Sequence, residues 1–135
     1  MSRSNYSDDV DQWDLIRWRG QVASAIRGKR GQRLLLELVR ALDAMDEKVL
    51  IAKRLVDEEG DHCALGVVGA QRGIYLESLD PDDPEEVAAA FDIARQLAAE
   101  IAFINDEAGH WKESPQQRWL RVRSWAMGQI HPVAL

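Results

Sequence analysis

The sequence predicts a mainly α-helical protein of one domain: a compact bundle of four or five helices, with a small β-hairpin in one interpretation. Apolar residues recur at spacings of three and four along most of the chain, as they do on the buried face of a helix. Two of these stripes follow an N-cap residue and a proline, a common start of a helix. The 135 residues contain no linker or repeat. We therefore treat residues 1–135 as one domain, with residues 1–8 as a flexible tail.

The first two predicted helices follow each other closely. The first begins near Asp9, because Asp9 and Gln12 have the spacing of a capping box. Its apolar stripe consists of Leu15, Trp18, Val22 and Ala25. A break at residues 28–31 separates it from a second helix over residues 32–45, whose leucines make a wide apolar face. The short break predicts that the two helices pack as an αα-hairpin.

Residues 49–73 allow two interpretations. Residues 49–56 are rich in β-branched residues and leucine, and the turn-like Glu59-Gly60-Asp61 follows them. A hairpin with a return strand near residues 62–65 is one interpretation. The other is an extended segment followed by a short helix over residues 63–71.

The last two predicted helices have the clearest starts. Asp83 is an N-cap before Pro84, and an apolar stripe with helical spacing runs from there to residue 104. Ser114 and Gln117 form a capping box around Pro115. The inner face of this last helix is predicted to carry Trp119, Val122, Ala126 and Ile130.

Charge is distributed unevenly along the chain. The 17 Lys and Arg residues against 23 Asp and Glu give a net charge of −6, and an acidic protein is a poor general binder of nucleic acid. Residues 15–36, however, contain six basic residues and no acidic one: Arg17, Arg19, Arg27, Lys29, Arg30 and Arg33. Residues 73–94 contain seven acidic residues and no basic one: Glu77, Asp80, Asp82, Asp83, Glu85, Glu86 and Asp92.

The basic segment is a candidate binding surface for nucleic acid or protein. Its cations suit phosphates, and Trp13 or Trp18 is available to stack on a base. Glu37, in contrast, repels phosphate, and the second helix is dominated by leucine. The opposing interpretation is a solvated helix corner whose charges pair with acidic residues elsewhere in the fold.

The acidic stretch over residues 77–86 also has two interpretations. A turn and a helix cap account for Asp83, Glu85 and Glu86. Alternatively, the stretch imitates the phosphates of a duplex, or docks on the basic segment of a second copy to make a homo-oligomer.

Tryptophan is frequent for a chain of this length, with five residues. Trp18 and Trp119 fit the inner faces of their helices. Trp13, Trp111 and Trp125 are candidates for a protein-binding surface, together with Arg123, because exposed Trp and Arg are typical of interface hot spots. The alternative is that these indoles cover the edges of a small core.

No catalytic residue, metal site or cofactor is predicted. Asp61, His62 and Cys63 are adjacent, and adjacent residues rarely chelate one ion. His110 and Asp106 have a helical spacing but lack a second pair of ligands. Cys63 with a histidine can be drawn as nucleophile and base, yet a lone cysteine among apolar neighbours is typical of a small buried side chain.

Several sequence blocks together are similar to one family. They are SRSNYSDD at 2–9, IRWRG at 16–20, AIRGKRGQ at 25–32, CALGVVG at 63–69 and NDE at 105–107. Across most of the chain, the sequence resembles small proteins encoded by phages and prophages of proteobacteria. The resemblance implies a phage origin and a site of action in the cytoplasm of an infected bacterium. It brings no assigned activity, so it implies no residue roles.

We expect a cytoplasmic protein that does not span a membrane. No stretch approaches the roughly 20 apolar residues of a membrane span, and a single cysteine excludes an internal disulfide. The leading hypothesis is a non-enzymatic binding protein that acts on a host or phage macromolecule. An inhibitor of a host defence complex, such as a CRISPR effector, is one version by analogy. The alternative is nucleic-acid binding through residues 17–33, and the third is a small enzyme centred on Cys63.

Overall fold

Six α-helices make up the regular structure of the computed structural model, which describes residues 2–7 and 11–132. They are α1 (Gln12–Arg27), α2 (Lys29–Asp43), α3 (Ala64–Arg72), α4 (Pro84–Phe91), α5 (Arg95–Asp106) and α6 (Pro115–Gln129). A 3-10 helix, Leu76–Ser78, lies between α3 and α4, and these residues contain no strand. The mainly α prediction is confirmed, whereas the predicted count of four or five helices is wrong.

The α1–α2 corner is tighter than the sequence suggests. Asp11 caps α1 by accepting a hydrogen bond from the Trp13 amide, and Asp9, the predicted cap, lies outside the described residues. Gly28 alone separates the two helices, so α2 begins three residues before the predicted start. A Cβ atom at Gly31 would lie 2.0 Å from the Ala25 carbonyl oxygen. Only glycine therefore allows the first turn of α2 to pack this closely on α1.

A break between α4 and α5 accounts for the additional helix. The sequence predicts one helix over residues 83–104, but Asp92 adopts a left-handed conformation with φ of 56°. The Ile93 amide then donates to the Ala88 carbonyl oxygen at 3.1 Å, which is the closing bond of a Schellman motif. Ile93 is buried after the turn, so apolar residues continue across the break between α4 and α5. For this reason the sequence pattern does not reveal the break.

The predicted hairpin is wrong, and the short helix of the other interpretation is present as α3. Between residues 49 and 62 the chain is irregular, with a single β-bridge joining Val56 and His62. A Cβ atom at Gly66 would lie 2.0 Å from the Leu55 carbonyl oxygen. The extended segment therefore packs directly on the α3 backbone instead of pairing with a second strand.

The core lies between α2 and the later helices. α2 contributes four leucines that are almost fully buried, and α5 contributes Leu97 and Ile101. The predicted inner face of α6 is confirmed, since Trp119, Val122, Ala126 and Ile130 are all buried. The rest of the large, fully buried set includes Phe91, Leu50, Val22 and Val68.

Local capping explains where α4 and α6 begin. Asp83 accepts hydrogen bonds from the Glu85 and Glu86 amides, as its position before Pro84 predicts. Ser114 and Gln117 form the predicted capping box. None of the helices within residues 2–7 and 11–132 has both the length and the apolar character to cross a membrane.

The C-terminal end of α5 joins four segments of the chain. The side-chain oxygen of Asn105, which is fully buried, accepts from the Ala64 amide at 3.0 Å. Its amide group donates to the Ile51 carbonyl oxygen at 2.9 Å. Arg118 and Arg121 of α6 donate to the Asn105 carbonyl oxygen. Cations thus satisfy the carbonyl end of the helix, where its dipole is negative.

The N-terminal segment, residues 2–7, packs on this same end of α5. Arg3 makes two hydrogen bonds of 2.7 Å to the Asp106 carboxylate, and both side chains are only 4% exposed. Ser4 donates to Glu107 at 3.0 Å. These contacts pack Arg3 and Ser4 on α5, which the sequence did not predict. The flexibility of residues 1–8 stays a prediction, and residues 1 and 8 lie outside the described residues.

Replacing Gly31 should test the tight helix corner. Gly31→Ala should destabilise the protein by about 1–3 kcal/mol, because the methyl group overlaps the Ala25 carbonyl. Gly20→Ala is the matched control, since a Cβ atom there meets nothing within 4 Å and α1 should gain about 0.5–1 kcal/mol. Urea unfolding followed by circular dichroism measures both. Equal stability of the two variants would contradict the account of the corner.

The Arg3–Asp106 pair should make stability depend on pH. Burial acts to raise the pKa of the Asp106 carboxyl, but the hydrogen bond and charge of Arg3, with the Lys53 amide, outweigh it and lower that pKa. Arg3→Met should therefore cost about 3–5 kcal/mol at pH 7. The stability difference between the wild type and Arg3→Met should shrink as the pH falls below about 4 and then through the lowered pKa of Asp106, because Asp106 becomes protonated there.

Urea unfolding of the wild type and Arg3→Met at several pH values measures this dependence. Arg54→Met is the control, because its pair with Glu58 is exposed at the surface. If the loss of stability in Arg3→Met stays constant down to pH 2, the charge pair with Asp106 is not its cause.

Candidate functional site

A cavity of about 530 Å³ opens between the N-terminal segment, α1, the start of α4 and α5. We call it the α1–α4 cavity. Its apolar lining consists of Leu15, Trp18, Pro84, Ala99 and Phe103, and its aromatic and charged lining includes Tyr6, Asp14, Arg19, Asp83, Glu85 and Arg95. Two regions that are distant in sequence, residues 4–19 and 83–103, thus contribute to one concave surface, of a size typical of ligand pockets.

Three aromatic rings form the floor of the α1–α4 cavity. The Tyr6 ring contacts Trp18 edge-on at 5.8 Å between centroids and Phe103 at 5.1 Å. The Trp18 indole N–H donates to the Tyr6 hydroxyl oxygen at 2.9 Å. Tyr6 and Trp18 are therefore held by both packing and a hydrogen bond, and Phe103 packs on Tyr6, which leaves little rotamer freedom for the floor.

Glu100 anchors this floor from beneath. It is 3% exposed, accepts from the Tyr6 hydroxyl at 2.9 Å and binds the Arg19 guanidinium at 2.7 and 2.8 Å. Burial and the Glu100 carboxylate raise the pKa of the Tyr6 phenol, while the Trp18 hydrogen bond lowers it less. The hydrogen bond to Glu100 also raises the pKa of Arg19. The phenol keeps its proton and the guanidinium its charge, so this network positions the aromatic floor.

The rim of the α1–α4 cavity is acidic. Asp14 and Glu85 have side chains that are 63% and 74% exposed, and Asp83 lies beside Glu85 at the N-terminus of α4. Arg95 also lies at this rim: its guanidinium is 5.5 Å from the centre of the Trp18 ring and 3.3 Å from Glu85. The basic residue Arg19 is already neutralised by Glu100.

The six residues of the predicted basic segment divide into two groups. Arg17, Arg19 and Arg30 form ion pairs with Asp14, Glu100 and Asp92, as the solvated-corner interpretation expects. Arg27 donates only to the Ser24 hydroxyl. Lys29 and Arg33 have no ion-pair or hydrogen-bond partner within residues 2–7 and 11–132.

A third unpaired cation, Arg40, was missed by the sequence analysis. Lys29, Arg33 and Arg40 are exposed and lie within about 40° of one another around α2. We call these three residues the α2 basic stripe. Glu37, which lies between them in sequence, is bound to Arg72 at 2.6 and 2.8 Å. The spacing of four and seven residues was the signal that could have identified Arg40.

The residues of the predicted tryptophan surface lie at separate positions in the structure. Trp13 and Trp111 are 74% and 82% exposed, and Lys112 lies over the Trp111 ring at 4.7 Å. Trp125 is half-buried against the core. Arg123 is bound to Asp43 of α2. No contact joins the three indoles in the part of the chain that the structure describes.

The residues considered for thiol or metal chemistry have structural partners. Cys63 is 1% exposed, and Arg3 lies 3.5 Å from its sulfur. Asp57, Glu59 and Asp61 bring carboxylate oxygens within 4.8 Å of one another. Asp57 accepts hydrogen bonds from the amides of the other two, so the cluster is the turn that closes the Val56–His62 bridge.

No family model matches the chain, and no curated protein or solved structure matches it either. The α1–α4 cavity and the α2 basic stripe are the surfaces whose geometry suggests a function. The sequence analysis missed the cavity because its residues come from several segments. The IRWRG block at 16–20, which contains Trp18 and Arg19, was a partial signal.

Proposed function

We propose that the protein is a phage-encoded, non-enzymatic binding protein that acts on a host or phage macromolecule in the bacterial cytoplasm. The observation that carries the proposal is the exposed first half of α1. Trp13, Leu15 and Ile16 are 74%, 48% and 55% exposed, although each is large and apolar. Burying such side chains against a partner is favourable at about 25 cal/mol per Å² of apolar surface.

Both sides of this part of α1 are accessible. Leu15 lines the α1–α4 cavity, whereas Trp13 and Ile16, three residues apart, share the outward side. The aromatic floor is held in place before binding, so a partner need not order it, which reduces the cost of association. A protein partner that covers Trp13 and inserts a side chain beside Leu15 fits this arrangement. The finer version, inhibition of a host defence complex, is an analogy with other small phage proteins.

Substitution of Trp13 and Leu15 tests this proposal. A C-terminally tagged chain is produced in the host during infection, and its partner is identified and purified. Trp13→Ala and Leu15→Ala should each weaken binding about tenfold or more, as expected for hot-spot residues. Leu120→Ala is the matched control, because Leu120 is 63% exposed on α6 and outside the cavity.

Retention of no partner by the tagged wild-type chain would contradict the proposal. A loss caused by Trp111→Ala, with Trp13→Ala and Leu15→Ala unchanged, would move the binding surface to the loop between α5 and α6.

A second candidate function is nucleic-acid binding through the α2 basic stripe. Lys29 and Arg33 are about 6 Å apart along the helix axis, close to the spacing of successive phosphates, and Arg40 follows about 10 Å further on. Their positive charges are not neutralised by the protein itself. The neighbouring acidic residues Glu37 and Asp43 are each occupied by an arginine.

Removal of the three free cations tests this candidate. The triple variant Lys29→Gln, Arg33→Gln, Arg40→Gln should abolish salt-dependent binding of a short labelled DNA duplex and reduce the slope against log salt by about 2 to 3. The control variant Arg17→Gln, Arg30→Gln, Arg54→Gln removes the same charge from paired residues. Equal losses in both triple variants, or no shift by the wild type, would exclude this function.

A further inference from the structure

We infer that the α1–α4 cavity binds a cationic amphipathic segment of the partner protein, in which lysines or arginines flank an apolar side chain. This inference rests on the proposed function, because it names the part of the partner that occupies the cavity.

The lining of the cavity favours an apolar insert, although Ser4, Asn5 and Ser7 also contribute to it. Leu15, Ala99 and Phe103 contribute apolar side chains, and Trp18 and Tyr6 present ring surfaces. The hydrogen-bonding groups of the floor are already satisfied among Tyr6, Trp18, Arg19 and Glu100. A polar insert would therefore lose its water without gaining partners there, whereas an aliphatic or aromatic side chain is favoured.

The rim selects for positive charge around that insert. Asp14, Asp83 and Glu85 line the cavity together with two arginines, of which Arg19 is bound to the buried Glu100 and Arg95 lies beside Glu85. The chain around Asp83 and Glu85 adds three further acidic residues that are exposed, namely Asp80, Asp82 and Glu86. An approaching lysine or arginine is attracted by this charge, and an acidic segment is repelled.

Arg95 provides an independent indication of cation binding at this wall. Its guanidinium lies 5.5 Å from the centre of the Trp18 ring and 3.3 Å from the Glu85 carboxylate. An aromatic face beside a carboxylate is a favourable environment for a guanidinium or ammonium group. The wall thus already holds one cation of the chain itself. Asp14 pairs with Arg17 at 3.6 Å with both side chains mostly exposed, so this weak surface pair can be exchanged for an incoming cation.

A second copy of the chain fits the cavity less well. Its α2 basic stripe has the complementary charge, but α2 has none of the exposed large apolar residues in the part of the chain that the structure describes. Such a contact would leave the apolar floor uncovered. A partner segment that combines both properties is therefore the better occupant.

Peptide binding to the intact protein tests the inference. The probe is a fluorescein-labelled peptide of about 14 residues, or four helical turns, built from leucine and lysine with one apolar face. One control peptide has glutamate at every lysine position, and another has the same composition without an apolar face. Fluorescence anisotropy should show binding of the first peptide only, weakened by added salt.

Variants of the protein then assign the binding to the cavity. Leu15→Ala should weaken the peptide about tenfold, and the double variant Asp14→Asn, Glu85→Gln about fivefold. Leu120→Ala and the double variant Asp46→Asn, Glu47→Gln are the matched controls, because these exposed residues lie outside the cavity. Equal binding of the glutamate peptide, or equal losses in cavity and control variants, would overturn the inference. Self-association that Leu15→Ala abolishes would assign the cavity to a second copy instead.

A photo-crosslinking side chain at position 15 separates this inference from the proposed function. Mass spectrometry of the crosslinked partner should identify a segment rich in lysine or arginine. An acidic segment would overturn the inference and leave the proposed function standing. A tagged wild-type chain that retains no partner would remove the proposed function, and the peptide series would then decide the inference alone.

Discussion

The polar contacts at the C-terminal end of α5 are the constraint on which the rest of the fold depends. Asn105 and Asp106 bind backbone or side-chain groups of residues 2–7, the irregular segment before α3, α3 itself and, through the Asn105 carbonyl, α6. Buried polar groups are costly unless each has a partner. A different arrangement of these segments would leave several of the buried polar groups unpaired. The polar cluster therefore specifies one packing arrangement, whereas apolar contacts alone would permit several.

α5 also links the core to the candidate binding surface. Leu97 and Ile101 face the core, while Glu100 on the adjoining side binds Arg19 of α1 and Tyr6 of the N-terminal segment. The aromatic floor is consequently tied to the helix that supports it. Charge in this protein therefore occurs in two settings: buried pairs fix the positions of segments, whereas the charges at the rim and along α2 are exposed to solvent.

Sequence signals identified the parts of the fold that depend on neighbouring residues. Asp83 and Ser114 mark helix starts because each caps amides only two or three residues away. The turn at Asp92 escaped detection, since aspartate in the left-handed region has no distinctive local pattern. The sequence allowed Arg30 to be paired but could not identify its partner, because Asp92 is 62 residues distant and only folding brings the two together. The α1–α4 cavity was hidden by the same kind of distance.

The position of residues 2–7 has a consequence for the order of folding. Arg3 contacts a residue 103 positions later, and Tyr6 contacts one 94 positions later. Closing loops of this length costs chain entropy that other contacts must offset first. Residues 2–7 therefore dock only after α5 has been synthesised. A chain truncated before α5 lacks both Glu100 and Phe103, so Tyr6 and Trp18 cannot complete the aromatic floor in it.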